Sequence, residues 1–308
     1  LTRSGGSSCG LAPQSLCRVD VMTKLSLALK QENALSCLCR ALPSAWPKLR
    51  KASKIYMWRL DELKLHTTQQ ALIEELNLVF ADLFDLCERG DAESVWILLS
   101  QGMSVKQRDP EGATLLQKAT HSGSTTILKL IVEKGGILNA KGSYGYTPLH
   151  EACYLGVPEV CELLLSVKAN VDALSKNGST PLLVAAREGR TAICESLLKH
   201  NADADDGGDK GWTPLSVAAG EGHAEVCEIL LKYNANVHGF SHDGRNERSA
   251  LQEAAEQGHA TVVSLLLENK ADVHHTFDEG GGQNRRWTAA ELAERAGHGK
   301  IANMLMSQ

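Results

Sequence analysis

A glycine returns every 33 residues in this chain: Gly90, Gly123, Gly156, Gly189 and Gly222, followed by Gly258 and Gly297 at spacings of 36 and 39. A hydroxyl side chain keeps the same interval, because Thr114, Thr147, Thr180, Thr213, Ser249 and Thr288 each stand nine residues ahead of one of these glycines. Two landmarks held in register define a repeated unit, and a unit this short cannot close a core of its own. Each must bury its apolar face on the next, so the chain is restricted to an open stack and its length gives no domain count. Such a stack offers surface rather than a deep pocket, which points to a macromolecular partner.

The unit from Tyr146 to Lys176 is the clearest. Thr147 predicts a helix N-cap, accepting a backbone N–H, and Pro148 stands at the first helical position, where a missing donor costs nothing. A first helix is predicted as far as Leu155, with Gly156 ending it in the left-handed conformation that glycine adopts without a steric penalty. A second helix is predicted from Pro158, its apolar stripe running through Val160, Cys161, Leu163, Leu164 and Leu165. Equivalent stripes recur at Ile127 to Ile131, Ile193 to Leu198, Val226 to Leu231 and Val262 to Leu267. A second left-handed position should close these helices at Gly102, Gly135, Lys168, Asn201, Asn234 and Lys270.

Thr-Pro-Leu-His at 147–150, Thr-Pro-Leu at 180–182 and 213–215, Gly-His at 222–223 and 258–259, and the ending Ala271-Asp272-Val273 together resemble ankyrin repeats, with which the period agrees. The resemblance covers Phe80 to Gln308 as about seven repeats. It implies an all-α solenoid of stacked helix pairs, with β-turn fingers along one edge, that grips protein partners with its fingers and the concave face of its first helices. The departures lie at the ends: Ala81 replaces the first threonine, and the last unit reads Thr288-Ala289-Ala290-Glu291. The expected function is a non-catalytic adaptor or scaffold. The alternative is the recognition or regulatory part of an enzyme complex, such as a ubiquitin ligase or a longer multidomain enzyme.

Charge narrows the partner. Residues 1–60 carry ten Lys or Arg against Asp20 and Glu32, whereas the other 248 residues carry 22 basic and 35 acidic side chains. An acidic body repels phosphate backbones, so a protein with a basic surface is expected rather than nucleic acid. Five of nine cysteines, Cys87, Cys153, Cys161, Cys194 and Cys227, fall on repeat positions and read as small apolar packing groups in a reducing, intracellular compartment, cytoplasmic or nuclear. No apolar run reaches the roughly 20 residues of a membrane span. His223, His259 and His298 follow repeat glycines, and Cys37-Leu38-Cys39 leaves one residue between its thiols, so neither suggests a metal site. No catalytic signature, and hence no enzyme and no cofactor, is predicted.

Two surfaces stand out. The longer glycine spacings place extra residues in two fingers, Gly239 to Arg248 and His275 to Arg286. They carry Phe240, Asp243, Arg245, Phe277, Arg285 and Arg286, and an exposed aromatic beside arginines suits an interface anchor; the other reading is a tolerated flexible loop. The concave face is predicted from positions just before each glycine: Glu151, Tyr154, Arg187, Glu188, Glu221, Glu253 and Glu256, an acidic set that suits a basic partner or simply a solvated helix face. The resemblance also marks Asn139 as a candidate for hydroxylation. A monomer is expected.

Residues 1–56 do not repeat, hold Ser4 to Ser8 and the basic run Lys48, Arg50, Lys51 and Lys54, and read as a disordered, leader or organelle-targeting segment, with Met22 and Met57 as candidate starts. A helical cap is predicted over 57–79.

Overall fold

The computed structural model describes residues 83–308 apart from Gln101, Ser143, 240–247 and 279–285, and leaves aside the side chains of Lys210 and Asp278. The expectations for residues 1–56 and 57–79, and those for Phe240, Asp243, Arg245 and Arg285, fall outside the described residues.

Among the described residues seven helix pairs follow one another: α1 (Leu83–Arg89) and α2 (Ala92–Ser100), α3 (Leu115–His121) and α4 (Thr125–Glu133), α5 (Pro148–Leu155) and α6 (Pro158–Ser166), α7 (Pro181–Arg187) and α8 (Thr191–Lys199). Then come α9 (Pro214–Glu221) and α10 (Ala224–Lys232), α11 (Ala250–Gln257) and α12 (Ala260–Glu268), and α13 (Ala289–Arg295) and α14 (Gly299–Met306). First helices pack on first helices from α1 to α13, and second helices pack on second helices from α2 to α12, giving two layers. A short antiparallel ladder, β1 (Phe277–Asp278) with β2 (Arg286–Trp287), lies in the last inserted finger and pairs Phe277 with Trp287.

Local chemistry sets these elements. The hydroxyls of Thr114, Thr147, Thr180, Thr213, Ser249 and Thr288 each accept the backbone N–H three residues on, fixing the start of α3, α5, α7, α9, α11 and α13. Lys168, Asn201, Asn234 and Lys270 close second helices at φ of 68°, 64°, 64° and 63°, the left-handed conformation expected of those positions. Between the layers lie Leu149, Ala152, Val160, Cys161 and Leu164 with their counterparts in the other repeats, all essentially sealed from solvent. Each such Leu, Ile or Val contributes about 1.5–3 kcal/mol of burial.

The five described cysteines are buried thiols outside any disulfide. Burial pushes the thiols of Cys194 and Cys227 up to about 12 and that of Cys153 well above its usual value. Such thiols stay protonated at neutral pH and act as packing groups rather than nucleophiles.

Candidate functional site

Three sets of bonds between repeats hold the first-helix face in place. In the first, the third residue of a first helix reaches the carbonyl just ahead of the next N-cap: Gln117 Nε2 donates to Tyr146 O at 2.9 Å, His150 Nε2 lies 2.9 Å from Ser179 O, and Gln252 Nε2 donates to Trp287 O at 3.1 Å. His150 Nδ1 meets Thr147 N at 3.3 Å, so the ring fits the tautomer that accepts there and donates to Ser179. Burial lowers its pKa from 6.5 to about 4.

In the second set, the residue after a repeat glycine reaches the preceding repeat: Arg190 to Tyr154 O at 3.2 Å, His223 to Arg187 O at 3.0 Å and His259 to Gly220 O at 3.0 Å. The ring of His259 lies so close that a Cβ on Gly222, itself at φ of 80°, would come within 2.5 Å of it. The repeat glycine is therefore required twice, by its conformation and by its neighbour. In the third set, Asn139 Oδ1 accepts from Asn170 N at 2.9 Å and Asp205 Oδ1 from Asn236 N at 2.8 Å, along the turns that follow the second helices.

On this frame the first-helix face of repeats 3 to 5 is open. Tyr154 is 53% exposed and Tyr144, in the preceding finger, 75%. Arg187 and Glu221 are exposed and Glu188 is half-buried. Tyr146 stacks on His150 with ring centroids 5.3 Å apart. Glu151, also half-buried, accepts from Gln117 Nε2 at 3.1 Å, and desolvation raises its carboxyl pKa from 4.5 to about 7.

Repeats 6 and 7 are built differently. Arg248, which occupies the position of Tyr146, lies 3.4 Å from Glu253 Oε1, also pairs with Glu256, and holds its guanidinium 4.5 Å from the centre of the Phe277 ring. Arg295 bonds the other oxygen of Glu256 at 3.0 Å and stacks on Trp287 at 4.7 Å. Three expectations change here. Phe277 is only 2% exposed, packed under Arg248 instead of presented as an anchor. Glu253 is 7% exposed, and Glu256 is shared between two arginines, so neither is an open acidic contact. Arg286 is exposed. A cleft of about 310 Å3 lined by Val237, His238, Ser249, Ala271, Asp272 and His275 opens beside the roots of the two inserted segments.

Sequence reasoning passed over Tyr144, Tyr146, Gln117 and the inward turn of Arg248. A signal existed for two of them: Tyr146 and Arg248 share the position just before the N-cap, and they meet His150 and Glu253 of their own first helices. Among the described residues no three His, Cys, Asp or Glu side chains are grouped to hold a metal ion, and no helix is long and apolar enough to cross a membrane.

A family model described as ankyrin repeats (3 copies) matches residues 83–174 and 165–240, and the model of the single ankyrin repeat matches 246–277. No curated protein matches the sequence. Among solved structures, the ankyrin repeat domain of human ASB11 is similar in fold, with a TM-score of 0.64 and 23% identity over 73% of this chain and 97% of that one.

Proposed function

The chain belongs to the ankyrin repeat family, whose members are in general protein–protein interaction modules, and on that premise we propose that it is a non-catalytic adaptor or scaffold holding a partner with a basic surface against the first helices of repeats 3 to 5. The observation that carries this reading is the exposed Tyr154, with Tyr144 nearby in sequence, in a run of first helices that also bears the accessible carboxylates of Glu151, Glu188 and Glu221. Exposed tyrosines bury much area at a small entropic cost, and acidic neighbours steer a basic partner. Arg187 supplies the one cation of the set and favours a partner that also carries an acidic or carbonyl group. Arg286, exposed at the end of the second inserted finger, is a further contact for the partner. The five reduced, buried thiols suit an intracellular site of action, and the adaptor acts as a monomer. Asn139, exposed at a turn, is the candidate for hydroxylation.

Capture experiments test the reading by comparison. Glu188→Lys with Glu221→Lys reverses charge on the first helices, and Glu195→Lys with Glu228→Lys does so on the second. Partners lost with the first pair and kept with the second support the face named here; equal loss rejects it. Shortening 241–247 and 279–285 tests the fingers, sedimentation tests the monomer, and peptide mass at Asn139 tests for an added oxygen.

A further inference from the structure

Repeat 6 shows how this face holds a basic side chain. Arg248 lies between the carboxylates of Glu253 and Glu256, with an aromatic ring against its guanidinium. Glu253 stands four residues after its N-cap, Ser249; Glu151 stands four residues after Thr147, so repeat 3 carries the same acceptor. Repeat 3 lacks the cation and the second carboxylate: the position of Arg248 holds Tyr146, and the position of Glu256 holds Tyr154. Among the described residues no Lys, Arg or His lies within ion-pair distance of Glu151. Lys118 is the nearby cation, and it is bound to Glu88 at 3.3 Å and Asp109 at 3.6 Å. Gln117 gives Glu151 one neutral donor, which leaves a half-buried carboxylate with less compensation than a charge in that setting requires.

We propose that Glu151, on the helix face that also carries Tyr154, is the seat of one arginine side chain of the partner protein, taking the guanidinium as Glu253 takes Arg248. The inference rests on the groove reading above and names its anchor. Arginine fits better than lysine, because a planar guanidinium pairs with a carboxylate and lies on an aromatic face at once, the two contacts that Arg248 makes. The acidic character of this site costs stability in the free protein, and the partner's cation offsets it, so affinity is concentrated at one point of an otherwise solvated helix face.

The test uses the full chain and a fluorescein-labelled peptide, Gly-Arg-Gly-Arg-Gly, beside the same peptide with citrulline for arginine, which keeps the shape and removes the charge. Anisotropy titration should show binding of the arginine peptide and at least about tenfold weaker binding of the citrulline peptide. Glu151→Gln should lose about tenfold toward the arginine peptide and none toward citrulline, while its melting temperature does not fall; Tyr154→Ala should lose less; Glu195→Gln, on a second helix, should lose nothing. If Glu151→Gln binds the arginine peptide as wild type does while Glu188→Lys with Glu221→Lys abolishes binding, the arginine seat is wrong and the groove reading stands. If the wild type fails to bind the arginine peptide, or binds both peptides equally, the seat is rejected, and the groove reading is then decided by the capture experiment alone.

Discussion

Repeats 3 and 6 share a cap, a helix pair and a buried stripe, yet they treat the same acidic position in opposite ways. Repeat 6 supplies its own arginine and covers it with an aromatic ring from the next finger. Repeat 3 leaves its carboxylate half-buried with the neutral donor Gln117. A charged group on a repeat surface is thus either part of the stack or part of the interface, and what decides is whether the cation comes from the same chain. The insertions matter through this. Their best-defined effect is to bring Phe277 against Arg248 and Trp287 against Arg295, so that these two cations are engaged within the chain.

The hardest blow to this comparison is Arg248→Ala. It strands Glu253 at 7% exposure and uncovers Phe277, and should cost about 3 kcal/mol in urea unfolding, the usual penalty for breaking a buried pair on one side. A loss below about 1 kcal/mol would show that repeat 6 does not depend on its internal cation.

Next in size is a pH effect within repeat 3. Glu151, raised to about 7, keeps its proton in the folded protein when the unfolded chain has lost it, so it lowers stability as pH rises from 4.5 to 7. His150, lowered to about 4, is neutral in the fold when the unfolded chain is charged, so it raises stability as pH rises from 4 to 6.5. The two slopes oppose, and the wild type should be nearly flat in that window. Glu151→Gln should gain about 2 kcal/mol between pH 5 and 6.5, and His150→Gln should lose about as much. Glutamine is chosen because Gln117 and Gln252 make the same bond to the next repeat. Parallel curves for the two variants would break the assignment.

The parts legible in the sequence were those set within a few residues. The caps at Thr147 and its counterparts, the glycines and the left-handed lysines all follow from local backbone requirements that repeat with the period. The fates of Glu253, Glu256 and Phe277 did not follow, because each depends on a finger folding onto a helix more than twenty residues away in some pairs, and periodicity carries no information about an insertion that breaks it. His223 and His259 lie between these cases: their period was visible, and the carbonyls they bind, Arg187 O and Gly220 O, were not.

Tyr146→Arg exchanges the roles of the two repeats. The new arginine would stand relative to Glu151 as Arg248 does to Glu253, at the expense of the stacking of Tyr146 on His150. At pH 8, where Glu151 is ionised, a gain of about 1 kcal/mol is expected, after about 1 kcal/mol of lost stacking is set against the new pair. The same variant should no longer bind the arginine peptide, since its own side chain fills the seat. A variant that is stabilised and still binds would separate the internal pair from the interface and undo the analogy.

The smallest effect asks whether the two regions differ in their scaffold or only in what decorates it. Lys168 closes a second helix in the regular part and Lys270 one beside the second insertion, at φ of 68° and 63°. Their local bonds match: Ala169 N donates to Leu164 O at 2.9 Å, and Ala271 N to Leu266 O at 2.9 Å. A lysine pays about 1 kcal/mol for this conformation, part of which glycine returns through the greater entropy of its unfolded state, so Lys168→Gly and Lys270→Gly should each stabilise by about 0.5 kcal/mol. Equal gains in thermal melts would place the difference between the regions entirely on the face and fingers. A gain at Lys168 with none at Lys270 would mean that the insertion strains the helix pair before it, and that the regions differ in scaffold as well as in the pairing of their charges.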